Sequence, residues 1–270
     1  MHCRLCSSNR LYKFLDLGFT PPADQFLRGE QLNEPVVHYP LEVFICESCG
    51  FAQLGYVVSP EILYRYDYPY ESSTTTTGKI HFHAFAASVA DEFILAENDL
   101  AVDIGSNVGV LLEGFKLKGL KVLGIDPATN IVRIAEKRGI ETWNEFFSTK
   151  VAKKIKDQKG LASVITATNV FAHINDLQSF MVAIKYLLND KGVLIIEAPH
   201  FLNLIQNLEY DTIYHEHLSY ISVEPLVPFF KKYGIRCFSK SNSNRFGIFG
   251  SWFGYRYDRF SCHGGYRTQS

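Results

Sequence analysis

Two Cys-x-x-Cys pairs, Cys3/Cys6 and Cys46/Cys49, open the chain's inventory of residues whose types and spacing could do chemistry. Each pair can chelate an ion from a tight turn, and Gly50 directly after Cys49 suits such a turn. Four thiolates close a tetrahedral site with no open position, so the expected ion is a structural Zn2+ and not a catalytic one. A redox dithiol and plain buried cysteines are the competing readings. Cys237 and Cys262 stand alone and read as ordinary residues.

A second group surrounds Val102-Asp103-Ile104-Gly105-Ser106-Asn107-Val108-Gly109. An apolar strand ending in an acid, followed by Gly105-x-x-x-Gly109 and a helix, makes a nucleoside-binding turn, because glycine allows tight bending and close ligand approach. The full G-x-G-x-x-G of a dinucleotide site, with a pyrophosphate on the helix N-terminus, is missing. Asp103 ahead of the first glycine suits a phosphate-free ligand carrying an ammonium and a sulfonium, as S-adenosylmethionine does. The next strand ends in Gly124-Ile125-Asp126-Pro127, where an acid can accept from both ribose hydroxyls. Asp103, Gly105, Asn107, Gly109, Asp126 and Pro127 are the expected cofactor-binding residues. The competing reading is that both acids only cap helices and both glycines only turn the chain.

The third group is Tyr214-His215-Glu216-His217-Leu218-Ser219-Tyr220, the most titratable knot in the chain. A histidine beside a glutamate and two tyrosines offers a general base with groups able to hold an oxyanion. His-x-His could also chelate a metal, and a histidine-rich surface turn is the plain alternative.

These groups need elements to position them. Hydrophobic residues are 47% of the 270, enough for one full α/β domain with a small accessory module. A net charge of −1 leaves no footprint for nucleic acid or an anionic membrane. No apolar run approaches a membrane span, and Met1-His2-Cys3-Arg4 does not open a signal peptide, so the expectation is a cytoplasmic protein with no membrane partner. Residues 1–65 read as a loop-rich zinc-binding module, and 66–98 as a linker with a helix from about His81. From 99 to 238, strand candidates (Leu100–Ile104, Lys121–Ile125, Ile140–Trp143, Ser163–Ala167, Val193–Glu197) alternate with helix candidates (Val110–Lys118, Asn130–Lys137, Leu177–Leu188, Glu224–Tyr233). That alternation implies an α/β, Rossmann-like, doubly wound and mostly parallel sheet, with helices on both faces. The knot lies beyond the last parallel strand, where such folds place substrate loops. Glu197 ends that strand and should face the same pocket. Residues 239–270, polar and then crowded with aromatics and Gly, show no period and read as an irregular tail.

Both Cys pairs, Pro22–Leu27, Tyr39-Pro40-Leu41, Tyr68-x-Tyr70-x-Ser72-Ser73, Asp103–Asn107, Gly124–Pro127, Asn169–Ile174 and Tyr214–His217 occur in one order. In these segments, spanning roughly residues 1 to 235, the chain resembles the nucleotide-deoxysugar C-methyltransferases that alkylate C3 of a TDP-4-keto-deoxysugar. Val108 departs from that family's glycine loop, which usually has Asp or Gly there. The resemblance implies a class I methyltransferase fold, S-adenosylmethionine as cofactor with Asn169 joining its site, and a nucleotide-sugar substrate. It further implies His217 as the base that removes the C3 proton. Tyr214 and Glu216 would orient that base or hold the enolate oxygen, and His173 and Tyr68 would help close the pocket. A helix cap is the competing role for His173.

Members of that family continue into a second α/β domain, of which His263-Gly264-Gly265 is a partial sign, whereas this sequence ends at Ser270. A truncated, frame-disrupted or divergent ending is therefore expected. Two further readings stay open: an O- or N-methyltransferase of another small metabolite, and a degenerate non-catalytic relative that binds zinc and S-adenosylmethionine.

Overall fold

The computed structural model describes residues 1–65, 68–72, 75–240 and 252–257. Strand β1 (Leu11–Thr20) pairs antiparallel with β2 (Tyr39–Cys46), and β2 with β3 (Ala52–Leu54). The first module thus carries a small sheet, with a long loop between β1 and β2. β1 is mostly exposed along its ten residues, so no apolar alternation marks it, and its order comes from the backbone ladder to β2.

Helices α1 (Pro60–Tyr64) and α2 (Thr76–Glu92) follow. α2 starts before His81, within the threonine run read as a linker. Thr75 Oγ1 accepts from the Gly78 amide at 3.0 Å, so one of these threonines is a helix cap. Ser73 and Thr74 lie outside the described residues.

The expected alternation then runs β4 (Leu100–Ile104), α3 (Val110–Leu117), β5 (Lys121–Ile125), α4 (Thr129–Lys137), β6 (Thr142–Trp143), α5 (Thr149–Lys159), β7 (Ala162–Thr168), α6 (Leu177–Leu187) and β8 (Leu188–Glu197). Helix α5 was not foreseen: its lysine-rich sequence buries only Val151, Ala152 and Ile155, too narrow a stripe to stand out. The chain continues through α7 (Phe201–Gln206), β9 (Ser219–Tyr220), α8 (Val223–Lys231), β10 (Ile235–Lys240) and β11 (Trp252–Tyr257).

The large sheet has the order β10-β11-β8-β7-β4-β5-β6. Strands β4 to β8 are parallel, and β11 is antiparallel to both β8 and β10. Part of the stretch read as irregular is therefore strand. An aromatic and glycine run shows no two-residue period, and here the backbone ladders to β8 and β10 supply the order instead. The rest of that stretch, residues 241–251 and 258–270 with Cys262 and His263-Gly264-Gly265, lies outside the described residues.

Helices cover both faces of the sheet. Along β8, Val193 and Ile195 pack with α2, α3 and α4, while Leu194 and Ile196 pack with α5, α6 and α8. No helix among the described residues is long and apolar enough to cross a membrane.

The small sheet has the order β1-β2-β3-β9, so its fourth strand comes from residues 219–220, far along the chain. Arg4 reinforces this junction. Its guanidinium donates to the carbonyls of Leu54 at 2.8 Å and Leu218 at 3.2 Å, and to Asn175 Oδ1 at 3.1 Å. The cysteine module and the segment carrying His217 are thereby one sheet.

Candidate active site

β4 ends in a turn that only particular residues can make. Gly105 has φ +65°, and a Cβ there would collide with the Val170 side chain. Asn107 sits at φ +50°, a left-handed conformation that Asn tolerates better than most residues. Its amide hydrogen bonds to Asp126 Oδ2 at 2.9 Å, while Asp126 Oδ1 accepts from the Ala128 amide at 2.9 Å. Asp103 is buried at the tip of β4, and Thr166 Oγ1 donates to it at 2.6 Å. Burial pushes Asp103 up to about 7, helped by the Asp126 charge, and burial pushes Asp126 up to about 6. A nearby cationic or hydroxyl-bearing ligand would favour the ionised form of both.

A cavity of about 840 Å³ opens above these strand tips. Asp103, Gly105, Asn107, Asp126, Pro127 and Asn169 all line it. Gly109 does not. At φ +79° it precedes α3, and a Cβ there would meet Ile140 at 2.9 Å. The Asn107 side chain is also committed, accepting from the Ser72 amide at 2.8 Å and donating to the Tyr70 carbonyl at 2.9 Å. It ties the segment before α2 across the cavity mouth.

The opposite wall is made by loops. Tyr68, His173, Tyr214 and His217 line the cavity with Asp24 and Tyr64. His217 Nδ1 lies 2.8 Å from the Thr212 carbonyl. A carbonyl can only accept, so Nδ1 carries the proton and Nε2 is the bare, basic nitrogen. Tyr214 Oη lies 3.0 Å from that Nε2 and donates to it. Burial lowers the His217 pKa, partly offset by the Thr212 carbonyl and by the charge of Asp24. His173 stacks on Tyr64, its ring centroid 5.2 Å from that of His217, and burial beside His217 pushes it down to about 3. It is a neutral imidazole at physiological pH. Nor is it the cap of α6, since Asp176 fills that role by accepting from the Ser179 amide at 2.9 Å.

Glu216 is 2% exposed and lies behind the cavity wall. Tyr68 Oη donates to its Oε2 at 3.4 Å, and burial followed by the Asp24 charge pushes the carboxyl up to about 8. His215 turns away and bonds to the Tyr39 carbonyl at 3.3 Å, so the two rings of His-x-His do not converge on an ion. Glu197 is also off the wall: it is buried, with Oε1 3.4 Å from His81 on α2, which corrects its expected place in the pocket. Asp24 and Tyr64 were missed as site residues. Asp24 lies within one of the matched segments but carries no spacing signal, and Tyr64 has none either.

The four cysteines do converge. Cys3 and Cys49 sulfurs lie 3.6 Å apart, as do those of Cys6 and Cys46, and all four fall within 4.8 Å of one another. Zn–S bonds of about 2.3 Å at tetrahedral angles demand sulfur separations of about 3.8 Å, so this donor set fits Zn2+. It is the one such ligand cluster among the described residues.

Residues 81–240 match the family model described as "Methyltransferase domain". This chain belongs to that methyltransferase family. Residues 3–64 of the methyltransferase match a second model, "Putative zinc binding domain", over the span that holds the four cysteines. The methyltransferase is 32% identical over 234 residues to C-methyltransferase NovU from Streptomyces niveus, covering 87% of this chain and 56% of NovU. It spans about half the length of the curated relatives it matches. Among solved structures, the plantazolicin methyltransferase BpumL, in complex with a triazolic desmethylPZN analog and SAH, has a TM-score of 0.54 at 13% identity. That match covers 69% of this chain and 87% of BpumL. A S-adenosylmethionine-dependent methyltransferase from Clostridium acetobutylicum ATCC 824 has a TM-score of 0.52 at 15% identity, covering 69% of this chain and 94% of that one. These two likenesses bear on the fold, which is the class I methyltransferase fold.

Proposed function

We propose that this methyltransferase uses S-adenosylmethionine to methylate C3 of a nucleotide-linked 4-keto-deoxysugar by way of an enolate. The observation that carries this reading is one cavity lined both by Asp103 and Asp126 at the strand tips and by His217, whose Nδ1 is committed to the Thr212 carbonyl and whose Nε2 meets the Tyr214 hydroxyl. The name of NovU, a C-methyltransferase, supports it. An O- or N-methyl acceptor is already nucleophilic and needs less help from a base. Carbon is not, and must first lose a proton.

Asp126 would take the ribose hydroxyls of the methyl donor, and Asp103 would favour its ammonium. Bound there, S-adenosylmethionine supplies an electrophilic methyl on a sulfonium. A ketone at sugar C4 acidifies the proton on C3, and His217 Nε2 takes that proton while the C–H electron pair passes into the enolate. The Tyr214 hydroxyl, displaced from Nε2 as the imidazole is protonated, is then free to donate to the enolate oxygen. The neutral His173 ring offers a further uncharged wall that cannot compete for the proton. The enolate carbon takes the methyl group and the donor leaves as S-adenosylhomocysteine.

The test is isothermal titration with S-adenosylmethionine, followed by deuterium loss from C3 of a TDP-4-keto-deoxysugar with no methyl donor present. Binding together with exchange is the expected result. Binding without exchange across a panel of such sugars would remove the enolate reading, and no donor binding would remove the enzyme.

A further inference from the structure

Two consecutive residues at the end of α1 bear on opposite walls of the cavity. Arg65 is docked on the strand-tip wall, where its carbonyl accepts from the Thr129 amide, at the start of α4, at 3.2 Å. Its guanidinium lies 5.1 Å from the centroid of the Phe146 ring and donates to the Pro127 carbonyl at 3.5 Å. Phe146 and Pro127 both line the cavity. A little further on, Asn130 of α4 holds both main-chain groups of Tyr68, accepting from the amide at 3.2 Å and donating to the carbonyl at 2.8 Å. The chain just after Tyr64 is thus tied to the helix that follows Asp126.

The Tyr64 side chain bears on the loop wall instead. Its ring lies 12° from parallel with that of His173, centroids 5.7 Å apart, and edge-on to Tyr68 at 5.9 Å. Its hydroxyl donates to the main-chain carbonyl of Glu216, next to His217, at 3.4 Å. His173 in turn packs on His217. His217 takes its local orientation from its own loop, through Thr212 and Tyr214. Those two contacts do not fix how far its ring stands from the strand tips, and Tyr64 spans that distance.

We propose that Tyr64 is a positioning residue that sets the spacing between His217 on the loop wall and the methyl donor on the strand-tip wall. It acts through His173 and the Glu216 carbonyl, and this role rests on the reading of His217 as the base. Proton removal from C3 needs only the base and the sugar. Transfer also needs the enolate carbon in line with the sulfonium methyl, so that the C–C bond forms as the S–C electron pair returns to sulfur. A misplacement of about 1 Å costs such a step about 10²-fold. Loss of Tyr64 therefore falls on transfer and spares proton removal.

The test uses the zinc-loaded full chain and a TDP-4-keto-deoxysugar. It compares methyl transfer at saturating S-adenosylmethionine with deuterium loss from C3 when no donor is present. Tyr64→Leu keeps an apolar side chain but neither the stack nor the hydroxyl, and should lower kcat for transfer by about 10²-fold. Exchange, and the Kd for S-adenosylmethionine, should stay near those of the parent. Tyr64→Phe keeps the ring and should restore most of the transfer rate. Equal falls in exchange and transfer overturn the proposal, as does an unchanged kcat. Tyr64→Phe falling as far as Tyr64→Leu overturns the ring as the spacer. If Tyr64→Leu does not fold, Arg65→Gln decides, because it loosens the other end of the same link. A fall in transfer that spares exchange is expected there too, and equal falls or an unchanged kcat overturn the proposal. No exchange or no transfer in the parent overturns the reading of the site, and the spacing role with it. Both activities in the parent, with equal falls in the variant, overturn the spacing role alone.

Discussion

One wall of the cavity is built from strand tips and the other from loops. Asp103, Gly105, Asn107, Asp126 and Pro127 sit on two successive strand-to-helix turns, held by main-chain geometry and by the Asn107 amide on Asp126. Asp24, Tyr68 and His173 come from three separate segments and Tyr214 and His217 share a fourth, and two of these four depend on the cysteine module. Asp24 is in that module. His217 is one residue from Leu218, whose carbonyl accepts from the Leu54 amide at 2.9 Å and from Arg4. The strand-tip wall is local and self-supporting, whereas the loop wall is assembled by long-range contacts that the metal cluster stabilises. The two walls should therefore fail separately.

Metal removal is the largest expected way to separate them. Binding of structural zinc contributes on the order of 10 kcal/mol to folding of small metal modules, so a chelator, or Cys46→Ser, should release β3 from β9 and disorganise the His217 loop. Deuterium exchange should vanish while titration with S-adenosylmethionine still shows binding at reduced affinity. Equal loss of both would mean that the walls form one cooperative unit.

Within the loop wall, His217→Asn keeps a side chain of similar reach but no basic nitrogen. Exchange should fall by about 10²-fold or more, the usual contribution of a positioned base, with methyl-donor affinity unchanged. Exchange that persists would take the base role from His217.

The strand-tip wall carries its own pH signature. Asp126 is raised to about 6 and Asp103 to about 7, against 3.8 for a free aspartate, so the empty fold prefers both protonated. Their contribution to stability is fully present below pH 3.8 and is lost as pH rises through about 6 and 7. A ligand needing the carboxylates works in the opposite sense. S-adenosylmethionine affinity should fall as pH drops from 8 through about 6, measured by calorimetry across that range. Asp126→Asn should weaken binding by roughly tenfold and flatten the lower part of that profile. A pH-independent affinity in the parent would count against these acids as ligand contacts.

The smallest effect belongs to Gly109. Gly109→Ala must strain a left-handed residue and press on Ile140, a loss of about 1–2 kcal/mol in stability, read from denaturant unfolding. Methyl-donor affinity should barely change, because Gly109 is not on the cavity wall. A large affinity loss would restore it to the binding turn.

The contrast between the walls is also a contrast in legibility. β4 and β5 were readable to the residue, as were the acids at their tips, because a buried parallel strand followed by a glycine turn is written in consecutive positions. The cysteine pairs were readable for the same reason, since thiols at two-residue spacing carry their own chemistry. Helix α5 and strand β1 were not, because each buries too little to leave a period. Gly109 reads as part of the binding turn, and only the fold shows that it lies off the cavity wall and against Ile140. Asp24 lies in a matched segment but carried no spacing signal, since the residues with which it lines the cavity, such as Tyr214 and His217, are far away in the chain.

The amino-acid sequence by itself determined the sheet's alternation, the phosphate-free nucleoside turn, the zinc-type cluster and the histidine-rich knot. Each is a local pattern, set by residue type over a few positions. The tertiary structure decided that β9 joins the cysteine module, that His217 lines the cavity while His215 turns to the Tyr39 carbonyl, and that Asp24 lines the same cavity. Those depend on which loops meet in space, and burial then sets which of the meeting groups keeps its proton.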